Sequence, residues 1–255
     1  MKPFKAQSSL FYEEFGSGEP LCLLHGFLEN RNMWMPFVER LAQKNHLILV
    51  DLPGHGKTNV LPGDNTMSAM AVELEQLFIN LNINRVKFVG HSMGGYVALA
   101  YAELFPKKTT GICLLNSTPF ADTEARKELR QHGILVAQKN YEAMVSMSVA
   151  NLFSKELRGK LKEEISYTKA EALRTPLEGY IACQKGMAQR SDNTTLWKHS
   201  TLKKWMILGA QDTLISADEM QKEFDGFDVK INVLPGGHML NIENFEAVLA
   251  ILIDF

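Results

Sequence analysis

Val86-Lys87-Phe88-Val89-Gly90-His91-Ser92-Met93-Gly94-Gly95-Tyr96 decides the fold. Its first half is a short apolar run rich in β-branched and aromatic residues, as suits a strand covered on both faces. Its second half opens a helical stretch over residues 94–105 that Pro106 ends. Between them stands Gly90-His91-Ser92-Met93-Gly94, a G-x-S-x-G pentapeptide in the strand–turn–helix setting that the motif needs. So sharp a turn predicts a strained backbone at Ser92 with its hydroxyl presented. The helix N-terminus behind it favours developing negative charge. A serine hydroxyl alone is a poor nucleophile near neutral pH, so a base and an acid are needed from elsewhere in the chain.

Further along, His238 ends Pro235-Gly236-Gly237-His238, just past the last apolar strand-like run. It is the candidate base, in a glycine-rich loop suited to aiming a side chain. Asp212 follows the run that ends at Gly209 and is the candidate acid, giving the chain order Ser, Asp, His. Two plainer readings compete for Asp212. It could cap a helix starting near Ser216, or the acid's place could belong to the position of Asn116, after the preceding strand. An amide cannot stabilise an imidazolium as a carboxylate does, which favours Asp212. Attack on a carbonyl also calls for two fixed N–H donors. One is expected from the backbone of Met93, directly after the nucleophile. The other is expected from Phe27 in His25-Gly26-Phe27-Leu28, with Leu28 its rival.

Outward from this centre the pattern alternates. Residues 21–25, 47–51, 86–90, 112–116, 205–209 and 231–234 read as buried strands. Residues 31–41, 67–81, 94–105 and 245–253 read as helices. Residues 10–15 run into Gly16-Ser17-Gly18 and look like an edge hairpin feeding the first central strand. Alternation of this kind predicts an α/β fold with a doubly wound, mostly parallel sheet. From about residue 118 to 198 no strand is evident. Residues 124–139, 141–153, 155–167 and 177–190 there read as helix. The expected organisation is a core of residues 1–117 and 199–255 with a helical cap inserted as residues 118–198. Leu28, Tyr96, Met144, Met147 and Met239 are candidates for the substrate pocket, although methionines at helical spacing more often fill a core.

Taken together, these pieces resemble the α/β-hydrolase superfamily, in its serine esterase and lipase-like branch with a helical cap. They are His25-Gly26-Phe27 with Trp34, Asp51-Leu52-Pro53-Gly54-His55-Gly56, the Ser92 elbow, Asp212, and His238 with Glu243 five residues on. They run in family order across nearly the whole chain outside the cap. The resemblance implies hydrolysis of an ester or thioester through an acyl-serine intermediate. It also admits a lyase of the menaquinone-pathway type using the same triad as a base, or a non-catalytic receptor on this fold. In the lyase-like pattern an arginine follows the elbow glycines, and here Tyr96 stands there. Arg126, Arg130 or Arg174 of the cap could supply a cation instead. Asp51, His55, His25 and His91 are expected to brace loops rather than react.

Composition narrows the classes further. The 255 residues carry 27 Lys and Arg against 29 Asp and Glu, a net charge of −2 that recruits neither nucleic acid nor acidic lipid. No apolar run approaches the roughly 18 residues that span a bilayer. Residues 1–4 offer no apolar core of a signal peptide. Cys22, Cys113 and Cys183 are odd in number and widely spaced, as free thiols in a reducing compartment would be, and a cytoplasmic location is expected. No metal is expected, because His46, His132 and His199 lack ligand spacing. No cofactor is expected either. Gly56-Lys57-Thr58 imitates the end of a phosphate loop, but Asp51 stands where that loop needs its first glycine.

Overall fold

The computed structural model describes residues 9–255; residues 1–4, searched above for a targeting signal, lie outside them. Seven strands form one sheet: β1 (Tyr12–Phe15), β2 (Glu19–Leu24), β3 (Asn45–Val50), β4 (Val86–His91), β5 (Thr109–Leu115), β6 (Lys203–Gly209) and β7 (Lys230–Leu234). Their order is β1-β3-β2-β4-β5-β6-β7, with β1 antiparallel to β3 and every other pairing parallel.

The period-two pleat sorts each central strand between two cores. Cys22 and Leu24, Ile48 and Val50, and Ile112 and Leu114 face one side. There they meet α2 (Met67–Asn80) and α3 (Met93–Leu104). Leu21 and Leu23, Leu47 and Leu49, and Cys113 and Leu115 face the other. Trp34, α1 (Met35–Leu41) and α11 (Phe245–Asp254) cover that side. Because both faces are covered, these strands read as unbroken apolar runs rather than alternating ones. All three cysteines are free and buried, two of them in β2 and β5.

The edge departs from expectation. Residues 10–15 do not form a hairpin with β2, because β3 lies between β1 and β2. The chain must therefore cross over the segment entering β3. Gly16 and Gly18, with φ of +71° and +140°, make that crossing possible. A Cβ at Gly16 would lie 2.4 Å from the Ala42 carbonyl oxygen, and one at Gly18 would lie 2.3 Å from that of Lys44.

Between β5 and β6 the regular elements are all helices: α4 (Glu124–Lys139), α5 (Tyr141–Leu152), α6 (Lys162–Ala172), α7 (Leu177–Ala188) and α8 (Thr194–His199). The helix expected over residues 155–167 starts later, at Lys162. Residues 155–160 form turns around Gly159, whose missing side chain weakens a helix by about 1 kcal/mol relative to alanine. The short α8 escaped the sequence reading. A third apolar cluster joins Ile134, Val145, Val149 and Tyr180 of this insertion to Leu28 and Met239 of the sheet layer. Asp122, just before α4, has a fully buried side chain. It pairs with Arg190 Nη1 at 2.6 Å and is gripped by both ends of the Arg130 guanidinium. After β6 come α9 (Ala217–Glu223) and, beyond β7, the single turn α10 (Leu240–Glu243).

Candidate active site

Ser92 joins β4 to α3 with φ of +48° and ψ of −115°, the strained turn expected of the pentapeptide. Its neighbours must be small for the strand and helix to meet this closely. A Cβ at Gly90 would lie 2.4 Å from the Gly95 nitrogen, and one at Gly94 would lie 2.4 Å from the Leu24 carbonyl oxygen.

The structure brings Ser92, His238 and Asp212 together. His238 Nε2 lies 2.9 Å from Ser92 Oγ, and His238 Nδ1 lies 2.7 Å from Asp212 Oδ2. An ionised Asp212 can only accept, so Nδ1 carries the ring hydrogen and Nε2 is free to accept the serine proton. Asp212 Oδ1 accepts the N–H of Leu214 at 2.8 Å and of Ile215 at 3.2 Å. Burial works against the charge on Asp212. The neighbouring His238 and the hydrogen bonds from His238, Asn116 and Leu214 outweigh it and hold the carboxyl below its usual range. Asp212 does not cap the following helix, since Ser216 Oγ takes that role toward Glu219 N–H at 3.2 Å. Asn116 donates its amide to Asp212 rather than replacing it.

Three further contacts fix the loop that carries His238. The His238 N–H donates to the Leu152 carbonyl at 2.8 Å. Glu243 Oε2 accepts the Gly237 N–H at 2.7 Å, and its Oε1 accepts the Ser154 N–H at 2.8 Å. Glu243 therefore ties the base loop to the end of α5.

The loop after β2 is braced by two neutral histidines. His25 Nδ1 donates to the Gly26 carbonyl at 2.7 Å while its Nε2 accepts the Leu52 N–H at 2.9 Å. His55 Nε2 accepts the Leu28 N–H at 3.1 Å. Burial, with a second histidine, His25, packed alongside, pushes the His55 imidazole down to about 3. Leu28 adopts φ of +64°, and its N–H is spent on His55. Among the described residues no acceptor engages the N–H of Phe27 or of Met93. Phe27 lines the same cavity as Ser92, and Met93 follows Ser92 in the chain. Asp51 accepts from Arg31 and from the Lys57 N–H, all at 2.9 Å, and so is a brace of the turn.

A cavity of about 420 Å³ opens over Ser92 and His238. Phe27, Leu28, Tyr96 and Met144 line it, together with Arg126 and Arg130. Met147 does not. Met144, Ser148 and Asn151 share one face of α5, and Met147 falls on its solvent side, 57% exposed. Met239 is also outside this lining, buried against Leu28 where the insertion meets the sheet layer. Arg174 is exposed and pairs with Glu171 at 2.9 Å. The Arg190 guanidinium sits over the Tyr96 ring, 4.1 Å from its centroid. Two features escaped the sequence reading: the Asn116 amide, weighed only as a rival acid, and a contact between Glu29 and His91.

The profile of the family described as alpha/beta hydrolase fold matches residues 19–245. The chain belongs to the α/β hydrolase fold family. Within it, the structure of a thermophilic esterase from Thermogutta terrifontis superposes with a TM-score of 0.90 at 29% identity, covering 96% of this chain and 92% of that one. A structure from a study of Nitrososphaera gargenis carboxylesterases gives a TM-score of 0.81 at 25% identity, covering 96% and 95%. A Bacillus subtilis protein provisionally named 2-succinyl-6-hydroxy-2,4-cyclohexadiene-1-carboxylate synthase is 28% identical over 241 residues, 89% of this α/β hydrolase and 86% of that protein. The dihydrolipoyllysine-residue acetyltransferase component of the acetoin cleaving system of Pseudomonas putida is 29% identical over 236 residues. That match covers 91% of this chain, which spans only 61% of that longer relative.

Proposed function

We propose that this α/β hydrolase cleaves a small ester or thioester through an acyl-serine intermediate, with Ser92 as nucleophile, His238 as base and Asp212 as the acid that orients it. The observation that carries the reading is the unbroken chain Ser92 Oγ–His238 Nε2 and His238 Nδ1–Asp212 Oδ2, at 2.9 and 2.7 Å. His238 takes the hydroxyl proton as Ser92 attacks the carbonyl. Charge developing on the carbonyl oxygen meets the open N–H groups of Phe27 and Met93. His238 then protonates the leaving alcohol or thiol. Water, activated by the same imidazole, releases the acid and restores Ser92. Residues 118–198 act as a cap over the core of residues 1–117 and 199–255, and the cavity beneath receives the acyl part. The free, buried thiols support a cytoplasmic setting.

The test is a panel of esters and thioesters of graded acyl length, with Ser92→Ala as control. Turnover that depends on Ser92 supports hydrolysis. Binding without turnover of any member would favour a receptor.

One observation favours a second reading, elimination with the triad as base. Arg126 and Arg130 stand in the cavity wall, where a substrate carboxylate could meet a guanidinium, and the B. subtilis relative carries a synthase name. Fast elimination of that relative's substrate with negligible ester turnover would establish it.

A further inference from the structure

Beside the triad lies a second buried pair that the mechanism above does not use. His91 stands inside the elbow, immediately before Ser92, and Glu29 lies in the loop after β2. His91 Nδ1 is 2.7 Å from Glu29 Oε2, and His91 Nε2 is 2.9 Å from the carbonyl oxygen of His238. The same Glu29 oxygen accepts the Gly26 N–H at 2.6 Å. The two side chains are only 2% and 8% exposed.

The hydrogens can be assigned from the partners. A carbonyl has no proton to give, so His91 Nε2 must carry one. A carboxylate oxygen that already receives the Gly26 N–H accepts a second donor best when ionised, which puts a hydrogen on Nδ1 as well. His91 is then an imidazolium with both N–H groups engaged, facing a Glu29 carboxylate. Burial opposes the charge on each. The mutual attraction and hydrogen bonding of the pair outweigh it, so His91 is raised and Glu29 lowered from their ordinary values. The other charged or titratable groups that face the pair are His25, beside both, and Asp212, on the His91 side. The His238 ring also lies beside His91, 5.2 Å between centroids.

What the pair joins matters more than its charge. Gly26 precedes Phe27, the donor placed at the carbonyl oxygen. His91 precedes the nucleophile, and the His238 carbonyl belongs to the base. Gly26 permits this approach, since a Cβ there would lie 2.5 Å from Glu29 Oε2 and 2.8 Å from His91 Nδ1.

We propose that Glu29 and His91 are an ionised positioning pair that holds the Phe27 loop and the His238 loop at a fixed separation around Ser92. The inference rests on the hydrolase reading for its kinetic consequence, but the charge state of the pair is measurable without turnover. In the ionised pair, His91 shows imidazolium nitrogen shifts by NMR at pH 7 in the full chain. In Glu29→Gln the carboxylate is gone, burial remains, and His91 reads as neutral.

The kinetic arm uses the rate of fluorophosphonate reaction at Ser92, together with ester turnover. Loss of the pair misplaces donor and base, so Glu29→Gln should lower both rates by about 10-fold or more with KM changed far less. The alkaline fall in rate that follows His91 deprotonation should move to lower pH. His91→Gln keeps a donor toward the His238 carbonyl. Combined with Glu29→Gln it should cost little more than Glu29→Gln alone, as expected of two halves of one unit. A neutral His91 in the wild type at pH 7 would overturn the ionised pair. A folded Glu29→Gln with unchanged phosphonylation and an unmoved pH profile would overturn the positioning role. If phosphonylation falls in Glu29→Gln while no ester is turned over by the wild type, the pair stands and the substrate reading fails.

Discussion

Asn116 donates its amide N–H to Asp212 Oδ2 at 2.8 Å, onto the same oxygen that receives His238 Nδ1. The same amide reaches the Gly237 carbonyl at 3.1 Å, so one side chain spans the acid and the base loop. Asn116 has φ of +46°, a conformation asparagine tolerates better than most residues. Asn116→Gly keeps that backbone and removes the amide. The expected result is a folded protein with kcat lower by roughly 10-fold, since one charge-assisted hydrogen bond is lost. Asp212→Asn should cost far more, on the order of 10⁴-fold, because the amide selects the wrong imidazole tautomer. Steady-state kinetics on both variants checks the ranking. Near-full activity in Asp212→Asn with loss in Asn116→Gly would reverse the two roles.

His55 links the Phe27 loop to acid stability. Its folded-state imidazole lies at about 3, below the reference value of 6.5. The unfolded chain therefore binds the extra proton between those values. Stability from neutral His55 is complete above about pH 6.5 and is lost progressively as the pH falls toward 3. His25 is lowered too, again with burial as the main cause, and acts in the same sense. His55→Gln retains an acceptor for the Leu28 N–H and removes the titration. Urea unfolding of wild type and His55→Gln from pH 7 to pH 4 should show a shallower loss in the variant. Parallel curves would rule the assignment out.

Asp122 supports the cavity from behind. It holds Arg130 and Arg190, and Arg190 in turn covers the Tyr96 ring. Asp122→Asn leaves two largely buried guanidinium groups without a counter-charge, which should cost about 3 kcal/mol. The measurement is ΔG of unfolding by urea, and a change below about 0.5 kcal/mol, the range of an ordinary surface substitution, would contradict it.

Much of this candidate site is legible in the sequence. The turn around Ser92 was readable because its glycines answer a local steric demand, as did the loops ending at Asp212 and His238. The parallel strands were readable because burial on both faces leaves continuous apolar runs. The position of β1 was not, since pairing with β3 rather than β2 depends on a crossing over Ala42 and Lys44 that no local pattern encodes. The start of α6 was obscured because residues 155–160 have helical composition but turn around Gly159. Glu29 gave no signal either. Its partner His91 is distant in sequence, and a lone glutamate after an oxyanion-type loop has no period or motif to mark it. Met147 was misplaced because spacing alone cannot say which edge of an apolar helix face turns toward a cavity.

The most direct test of the account is intact-protein and peptide mass spectrometry after brief reaction with a short p-nitrophenyl ester, quenched in acid. The account predicts one added acyl group on the peptide containing Ser92, and none on Ser92→Ala. Rapid turnover with no acyl group trapped at Ser92, or equal acylation of Ser92→Ala, would contradict it.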